Sequence, residues 1–435
     1  MKRVLVVSPA FPPTSAADLH RVRTSLPHFR DFGWDPIVLA LAPEDHGGLV
    51  EPELVRTIPS HVAVYRTGAL PRRLMRLAGI GDAGLRGLGH LYARGAEVIR
   101  RESIDLVYFS TTMFPVMVLG RLWRARFGVP FVMDFQDPWK TDYSGAGRAQ
   151  GPKAQLARAM HATLEPLAMR HVDGVIAVSP AYIETLRRRY PWISEDMCAT
   201  IPFGASEADL DAAQAIAFTN TAFDRRDGRR HGVAVGRGGR DMAMAAEILF
   251  RALGLLLERR DHPALKLSFV GTDYARHGGR ATIAPLAEQF GVAAAVEEHP
   301  ERVPYLHALR LLRDSHFTII LGSDDPAYSP SKIYPYLISR RPFLAIMHAD
   351  SPAVPLLRQA GTGIVATFRP DEDLAPAVAR LAENWPALAA RGPTDAMVPK
   401  ALLESISARE LTRRQCMMFD AAAGRRTLQG VPCTG

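Results

Sequence analysis

A chain of 435 residues exceeds what one hydrophobic core usually organises, and its 47% hydrophobic content suffices for two domains. Charged residues make up 23% with no low-complexity block, which excludes a disordered chain and a coiled coil. The 53 Lys and Arg against 45 Asp and Glu leave a net charge of +8, which favours anionic partners: nucleotide diphosphates, phospholipid headgroups or nucleic acid. No helix-turn-helix signal or aromatic-studded basic ribbon accompanies that charge, so no nucleic-acid partner is expected. Cys198, Cys416 and Cys433 lie far apart, with no Cys-x-x-Cys pair and no His at metal-ligand spacing. Neither a zinc site nor a disulfide framework is expected, which suits the cytoplasm.

The chain opens with a short apolar run, residues 4–7, cut off by Pro9, Pro12 and Pro13. That is too short for a signal peptide and reads as a buried first strand, 3–7. No run approaches the ~20 apolar residues needed to cross a bilayer, so any membrane contact is peripheral. A helix is predicted over 16–32: Ser15 and Asp18 resemble a capping box, and Leu19, Val22, Leu26 and Phe29 share one face. Pro27 should kink it. Further strands read at 36–41, 104–110, 130–135, 174–179 and 199–203. Between them, segment 72–101 repeats arginine (Arg72, Arg73, Arg76, Arg86, Arg94, Arg100, Arg101) among leucines. It reads either as a solvated helix face packed on the sheet or as a segment lying on anionic lipid at the inner face of the cytoplasmic membrane.

After Gly204 the strand-helix rhythm lapses through 206–230, which reads as a linker with an insertion. It resumes with strands at 232–236, 265–271, 294–298, 317–322, 343–347 and 363–368. Beyond Pro399 an apolar-faced helix runs to Ala423 and must dock on something, the first domain being the candidate. The expected architecture is α/β: two Rossmann-like, doubly wound parallel-sheet domains at 1–205 and 231–398 facing across a cleft, with 399–435 returning to the first.

Open parallel sheets bind ligands beyond the carboxyl ends of their strands, so the strand-to-helix turns are the places to search. The first turn, residues 8–15, lacks the Gly-x-Gly-x-x-Gly of nicotinamide and flavin enzymes. Gly236-Arg237-Gly238-Gly239-Arg240 follows a strand, where backbone amides could approach an anion and Arg237 or Arg240 supply charge; it equally suits a plain tight turn. In the stretch 322–334, Ser329 reads as a helix N-cap, with Pro330 in the first turn, then Ser331 and Lys332. Free amides, hydroxyls and an ammonium would converge there on a diphosphate, although Ser-Pro caps many helices with no ligand. Asp134, Gln136 and Asp137 end a strand of the first half, where buried carboxylates are costly unless bonded, and are candidates for sugar binding or catalysis. Gly271, Thr272 and Asp273 could line the cleft with Gly236, Asp324, Asp325 and Tyr334. Asp371-Glu372-Asp373 mimics a metal site, but its place before Leu374 and Ala375 favours a helix cap.

Taken in order, Phe11-Pro12-Pro13, Val178-Ser179, 201–204, Val235-Gly236-Arg237, Phe269-Val270-Gly271, 331–337 and 341–345 resemble a GT-B glycosyltransferase of the large family 4 type. The resemblance spans essentially the whole chain. It implies that the second domain holds a nucleotide-sugar donor and the first an acceptor, be it glycan, lipid-linked or small, with Pro13, Ser15 and Asp18 on the acceptor side. It also implies a retaining transfer without metal, cofactor or protein nucleophile, in the bacterial synthesis of a polysaccharide or glycolipid. Developing diphosphate charge would then be met by Arg237, Arg240, Lys332 and the 329–331 turn.

The chain departs from that pattern in three places. The family's Glu-x7-Glu pair falls on Ala327 and Pro335, its first-turn Gly-Gly is replaced by Ser15-Ala16-Ala17, and a customary His aligns with Gln136, while Asp137 is kept. Two other readings stay open: a nucleotide-sugar-binding subunit without activity, and a nucleotide-sugar epimerase recruiting Asp134, Asp137, His299 and His20.

Overall fold

The computed structural model describes every residue except 78, 141–150, 260–263, 274–277, 327, 329–330, 392–397 and 430–435. It divides into two compact units, Met1–Gly204 with Ala408–Gly435, and Ala205–Ser407.

Among the described residues the first unit holds nine strands: β1 Lys2–Val7, β2 Thr14–Ser15, β3 Trp34–Leu41, β4 Leu49–Val50, β5 Ala63–Thr67, β6 Leu106–Ser110, β7 Phe131–Phe135, β8 Gly174–Ala177 and β9 Cys198–Thr200. Seven make one sheet in the order β5-β3-β1-β6-β7-β8-β9, all pairs parallel. Both faces are buried, so β1 is apolar throughout and its alternation sorts residues between two cores. Leu5 and Val7 join Leu39, Phe109, Phe131 and Trp123 on one face. Val4 and Val6 join Val38, Tyr108 and Val132 on the other, with Leu411, Met418 and Phe419 of the terminal helix Ala408–Gln429. The Phe419 ring meets Tyr108 at 4.9 Å and Trp34 at 5.5 Å. Gln415 adds a buried 2.9 Å hydrogen bond to Ser25.

The second unit holds β10 Arg230–Val235, β11 Leu265–Val270, β12 Val296–His299, β13 Phe317–Leu321, β14 Phe343–His348 and β15 Gly363–Phe368. They form a parallel sheet in the order β12-β11-β10-β13-β14-β15. The chain thus starts in the middle, works to one edge, then crosses back and works to the other. Each sheet therefore has a switch point, between β1 and β6 in the first unit and between β10 and β13 in the second, where the helices flanking the sheet diverge and a crevice opens.

Several expected elements are redrawn. The helix expected over 16–32 is only Leu19–Ser25, followed by a 3-10 turn at Phe29–Phe32, because Pro27 cannot continue the hydrogen-bond ladder. Ser15 does not cap it but pairs in β2 with Leu49. The stretch read as a linker contains the helix Glu207–Ala215, whose Asp209 amide is capped by Ser206, and Tyr305 donates to Asp209 at 3.0 Å. Its single apolar stripe, Leu210 and Ala213, was too narrow to register as a helix. The return to the first unit begins at Ala408; the helix Lys400–Ser405 still belongs to the second. Strand β5 went unread because its residues are only half-buried at the sheet edge.

The arginine-rich segment forms two helices. In Ala83–Arg101, capped by Asp82, Leu91, Val98 and Ile99 pack inward, and the buried Arg86 donates to the Leu70 and Asp45 carbonyls. The short helix Arg72–Leu77 is different: Leu74 stands 64% exposed among Arg72, Arg73 and Arg76.

Candidate functional site

At the switch point of the first unit, the loop after β1 passes the ends of β6 and β7. Asp18 opens the Leu19–Ser25 helix, yet its carboxylate makes no cap. It accepts instead from Thr111 Oγ1 at 3.0 Å and from the Thr112 amide at 2.9 Å and hydroxyl at 3.2 Å. Three charge-assisted bonds thereby tie the first turn to the end of β6. Gln136 locks the same junction, its Nε2 donating to the Asp18 carbonyl and to Ser110 Oγ, both at 2.9 Å. Ser15 and Pro13 are held by pairing with 49–51, the Glu51 amide donating to the Pro13 carbonyl at 2.7 Å.

Asp134 lies beneath this junction with no exposed surface. Arg21 pairs with it at 2.8 Å, and Tyr108 and Ser110 donate at 3.0 and 2.7 Å. Burial pushes its pKa up, while Arg21, Ser110 and Tyr108 pull it down. Arg21 is itself anchored through the Ile201 and Pro202 carbonyls, at 2.7 and 3.2 Å. Asp134 is therefore placed to hold the junction and not to meet a sugar. Asp137 alone of the three strand-end groups is exposed. The surrounding protein still desolvates it, and that, followed by repulsion from Asp18, raises its pKa above the ordinary carboxylate value. Neither Arg21 nor Thr111 and Thr112 stood out in the sequence, since their partners are distant in the chain.

The second unit's switch point is built differently. Gly236 follows β10 with φ +119°, a backbone open to glycine, and the Lys332 side chain crosses it: a Cβ there would meet Lys332 Cδ at 3.4 Å and Nζ at 3.7 Å. Arg237 turns away into a two-pronged pair with Asp241, at 2.8 and 2.7 Å, its guanidinium 5.7 Å from the Tyr328 ring. Lys332 keeps some surface, but crowding desolvates it; that, with the Arg237 charge and against Asp241, brings its pKa down to about 8. Asp241, the carboxylate whose charge acts on Lys332, is already paired with Arg237 and so compensates the ammonium only in part. Arg240 is exposed at the start of the 3-10 turn Arg240–Met242.

The turn after β13 is tied to the turn after β10 by the Asp324 amide, which donates to the Asp241 carbonyl at 2.8 Å. Asp324 and Asp325 are exposed, and Tyr334 is buried. Tyr336, also buried, exchanges hydrogen bonds with the Val235 amide and carbonyl at 2.7 and 3.0 Å, fixing the end of β10. On the β11 side, the Gly271 amide donates to the His299 carbonyl, and the Thr272 carbonyl accepts from Gly238 at 2.9 Å. Thr272 donates to Glu298, which also accepts from the amides of Thr282, Ile283 and Ala284. Asp273 accepts from the Arg280 amide at 2.8 Å, so its carboxylate organises its own loop. Glu298 was missed because its partners lie 14 to 26 residues away and no local pattern marks it.

Ser329 falls outside the described residues. The helix it was expected to cap begins only at Ile333 and ends at Ile338. Pro335 explains the late start: it has no amide to donate to the Ser331 carbonyl, so no full α-turn closes there. Ser331 is an exposed turn residue, and Lys332 is itself the N-cap of that short helix, with its side chain lying over Gly236. Elsewhere Asp373 accepts from the first amide of the helix Ala375–Ala390, at 2.9 Å, and Glu372 pairs with Arg369. Among the described residues no three His, Cys, Asp or Glu side chains gather as metal ligands do.

Residues 20–204 match the family model of the glycosyl transferase 4-like domain. No curated protein sequence matches the chain. Solved structures do, at low identity. The α,α-trehalose 6-phosphate synthase of Burkholderia multivorans superposes with a TM-score of 0.61 at 14% identity over 99% of both chains. Anabaena HepE, solved with UDP and glucose, gives 0.59 at 14% over 97% of this chain and 100% of its own. A glycosyltransferase of Rickettsia africae gives 0.58 at 15% over 97% and 98%. The chain thus has the GT-B fold of two parallel-sheet α/β units, the first of which carries the match to the glycosyl transferase 4-like domain model.

Proposed function

We propose that this protein is a glycosyltransferase that moves a sugar from a nucleotide-diphosphate sugar to an acceptor hydroxyl with retention of configuration. The observation that carries the proposal is Lys332: a cation set over the open backbone of Gly236 at the sheet's switch point, while Asp241, the carboxylate that acts on it, is paired with Arg237. A desolvated ammonium that is only partly compensated is costly to maintain and is repaid by an anion. A leaving diphosphate, whose charge grows as the sugar departs, is such an anion. Lys332 then does what a metal would do elsewhere, and no metal or other cofactor is required. Arg240 and Ser331 lie on the same turns and face the donor, while Arg237 serves through Asp241 to set the loop.

The acceptor belongs to the first unit, with Asp137 as the carboxylate able to touch its hydroxyl. No protein nucleophile is invoked: the leaving phosphate takes the acceptor proton on the same face of the sugar. HepE was solved with UDP and glucose, and these are the first donor components to try. The exposed Leu74 among Arg72, Arg73 and Arg76 suits a peripheral, anionic surface at the inner face of the cytoplasmic membrane, in keeping with glycolipid or polysaccharide synthesis.

The test is incubation with a panel of nucleotide sugars and acceptors, with and without EDTA. Acceptor-dependent release of nucleoside diphosphate, an unchanged anomer in the product and indifference to EDTA are expected. Isomerised donor would indicate an epimerase, and binding without turnover a subunit that only binds.

A further inference from the structure

The first unit contains a cavity of about 280 Å³ at the carboxyl ends of β7 and β8, lined by Phe135, Trp139, Tyr182, Thr185 and Leu186. No group discussed above fills it. Its walls are stiff. Trp139 is buried, its indole N–H donates to His161 Nδ1 at 2.7 Å, and its ring stacks on Phe114 at 5.4 Å, which in turn stacks on Phe135 at 6.4 Å. Protein interiors normally close such spaces, and these clamped rings prevent it.

The lining also says what the cavity takes. A sugar needs partners for every hydroxyl it buries, yet Phe135 and Leu186 have none to give, the Trp139 N–H is spent on His161, and the hydroxyls of Tyr182 and Thr185 are too few to serve a whole sugar ring. Arg189, at the edge, is committed to Glu165 and to the Lys140 carbonyl, both at 3.1 Å. Arg188, on the lining, is exposed and Lys140 half-buried, leaving positive charge at the mouth. By volume the space equals about nine waters, the bulk of a short alkyl chain or a fused ring. Its place in the chain connects it to the acceptor side, because Asp137 and Pro138 immediately precede Trp139 at the end of β7.

We propose that this cavity seats the apolar portion of the acceptor, so that the natural acceptor is an amphiphile whose alkyl or aryl group enters beside Trp139 while its hydroxyl stays at Asp137. The assignment rests on the reading that the first unit binds the acceptor. It makes Trp139, Tyr182 and Thr185 determinants of acceptor choice.

The experiment is a binding series on the full chain: glucose, then butyl, hexyl and octyl β-glucosides below their micelle concentrations, by titration calorimetry. Affinity should rise about fourfold for each added methylene until the cavity is full. Thr185→Trp and, independently, substitution of a further lining residue, Ala181→Trp, should fill the space and flatten that ladder, with thermal melts identifying whichever variant folds. A ladder unchanged in a folded filled variant overturns the proposal, as does glucose binding as tightly as its octyl glycoside. If the ladder holds and is lost on filling but no donor is ever consumed, the cavity assignment stands and the transferase reading falls. Transfer to plain glucose with no ladder sinks the cavity assignment alone.

Discussion

The two switch points occupy equivalent places in two sheets, yet they treat charge in opposite ways. In the first unit each strand-end carboxylate except Asp137 is consumed: Asp18 by Thr111 and Thr112, Asp134 by Arg21, Tyr108 and Ser110. In the second, Arg237 and Asp241 cancel each other and Lys332 is left over. The first arrangement builds a rigid floor and presents one acid; the second keeps a charge in reserve for a ligand. Substitutions should therefore separate into those that cost stability and those that cost activity.

Lys332→Ala is expected to have the largest effect on activity, lowering turnover about 10²–10³-fold by removing a cation from the developing diphosphate. Its melting temperature should not fall, because the lost ammonium was desolvated and only partly compensated. A variant that turns over normally would misplace the phosphate. Asp134→Ala should do the reverse, costing about 3–5 kcal/mol by stranding Arg21 in the interior. Denaturant melts measure it, and a stability near wild type would mean that Arg21 finds water once Asp134 is gone.

A smaller effect, and one that involves both units, is the pH dependence of kcat/KM. Lys332 must be protonated to hold the donor and titrates at about 8, so activity should decline as pH rises through that value. Asp137 must be ionised to accept from a hydroxyl and its pKa is raised, so the acid limb should lie above the ordinary carboxylate range. Lys332→Ala should remove the alkaline limb and Asp137→Asn the acid one. The smallest effect is expected at Asp371. Its neighbour Asp373 makes the cap, so Asp371→Ala should leave turnover and melting temperature unchanged, and a metal requirement lost in that variant would contradict it.

The sheets were legible in the sequence because buried parallel strands are short apolar runs between turn residues, as in β1, β7 and β13. What depends on partners far apart was not. Arg21 reaches Asp134 and Glu298 gathers Thr272 with the amides of 282–284, and no spacing rule connects such residues. Lys332 stood out by its place at a helix start, which it holds as N-cap of Ile333–Ile338, three residues later than expected; its position over Gly236 had no signal in the sequence. Asp18 was read with Ser15 as a capping box because their spacing is that of one, while Thr111 and Thr112, four strands later in the chain, take its carboxylate.

The central claim is that the reserved charge in the second unit exists for a diphosphate, and titration of UDP into the wild-type chain and into Lys332→Ala tests it most directly. Binding that weakens at least about tenfold in the variant, while Asp371→Ala binds as the wild type does, is the predicted result. Equal affinity for UDP in the wild type and Lys332→Ala would contradict it.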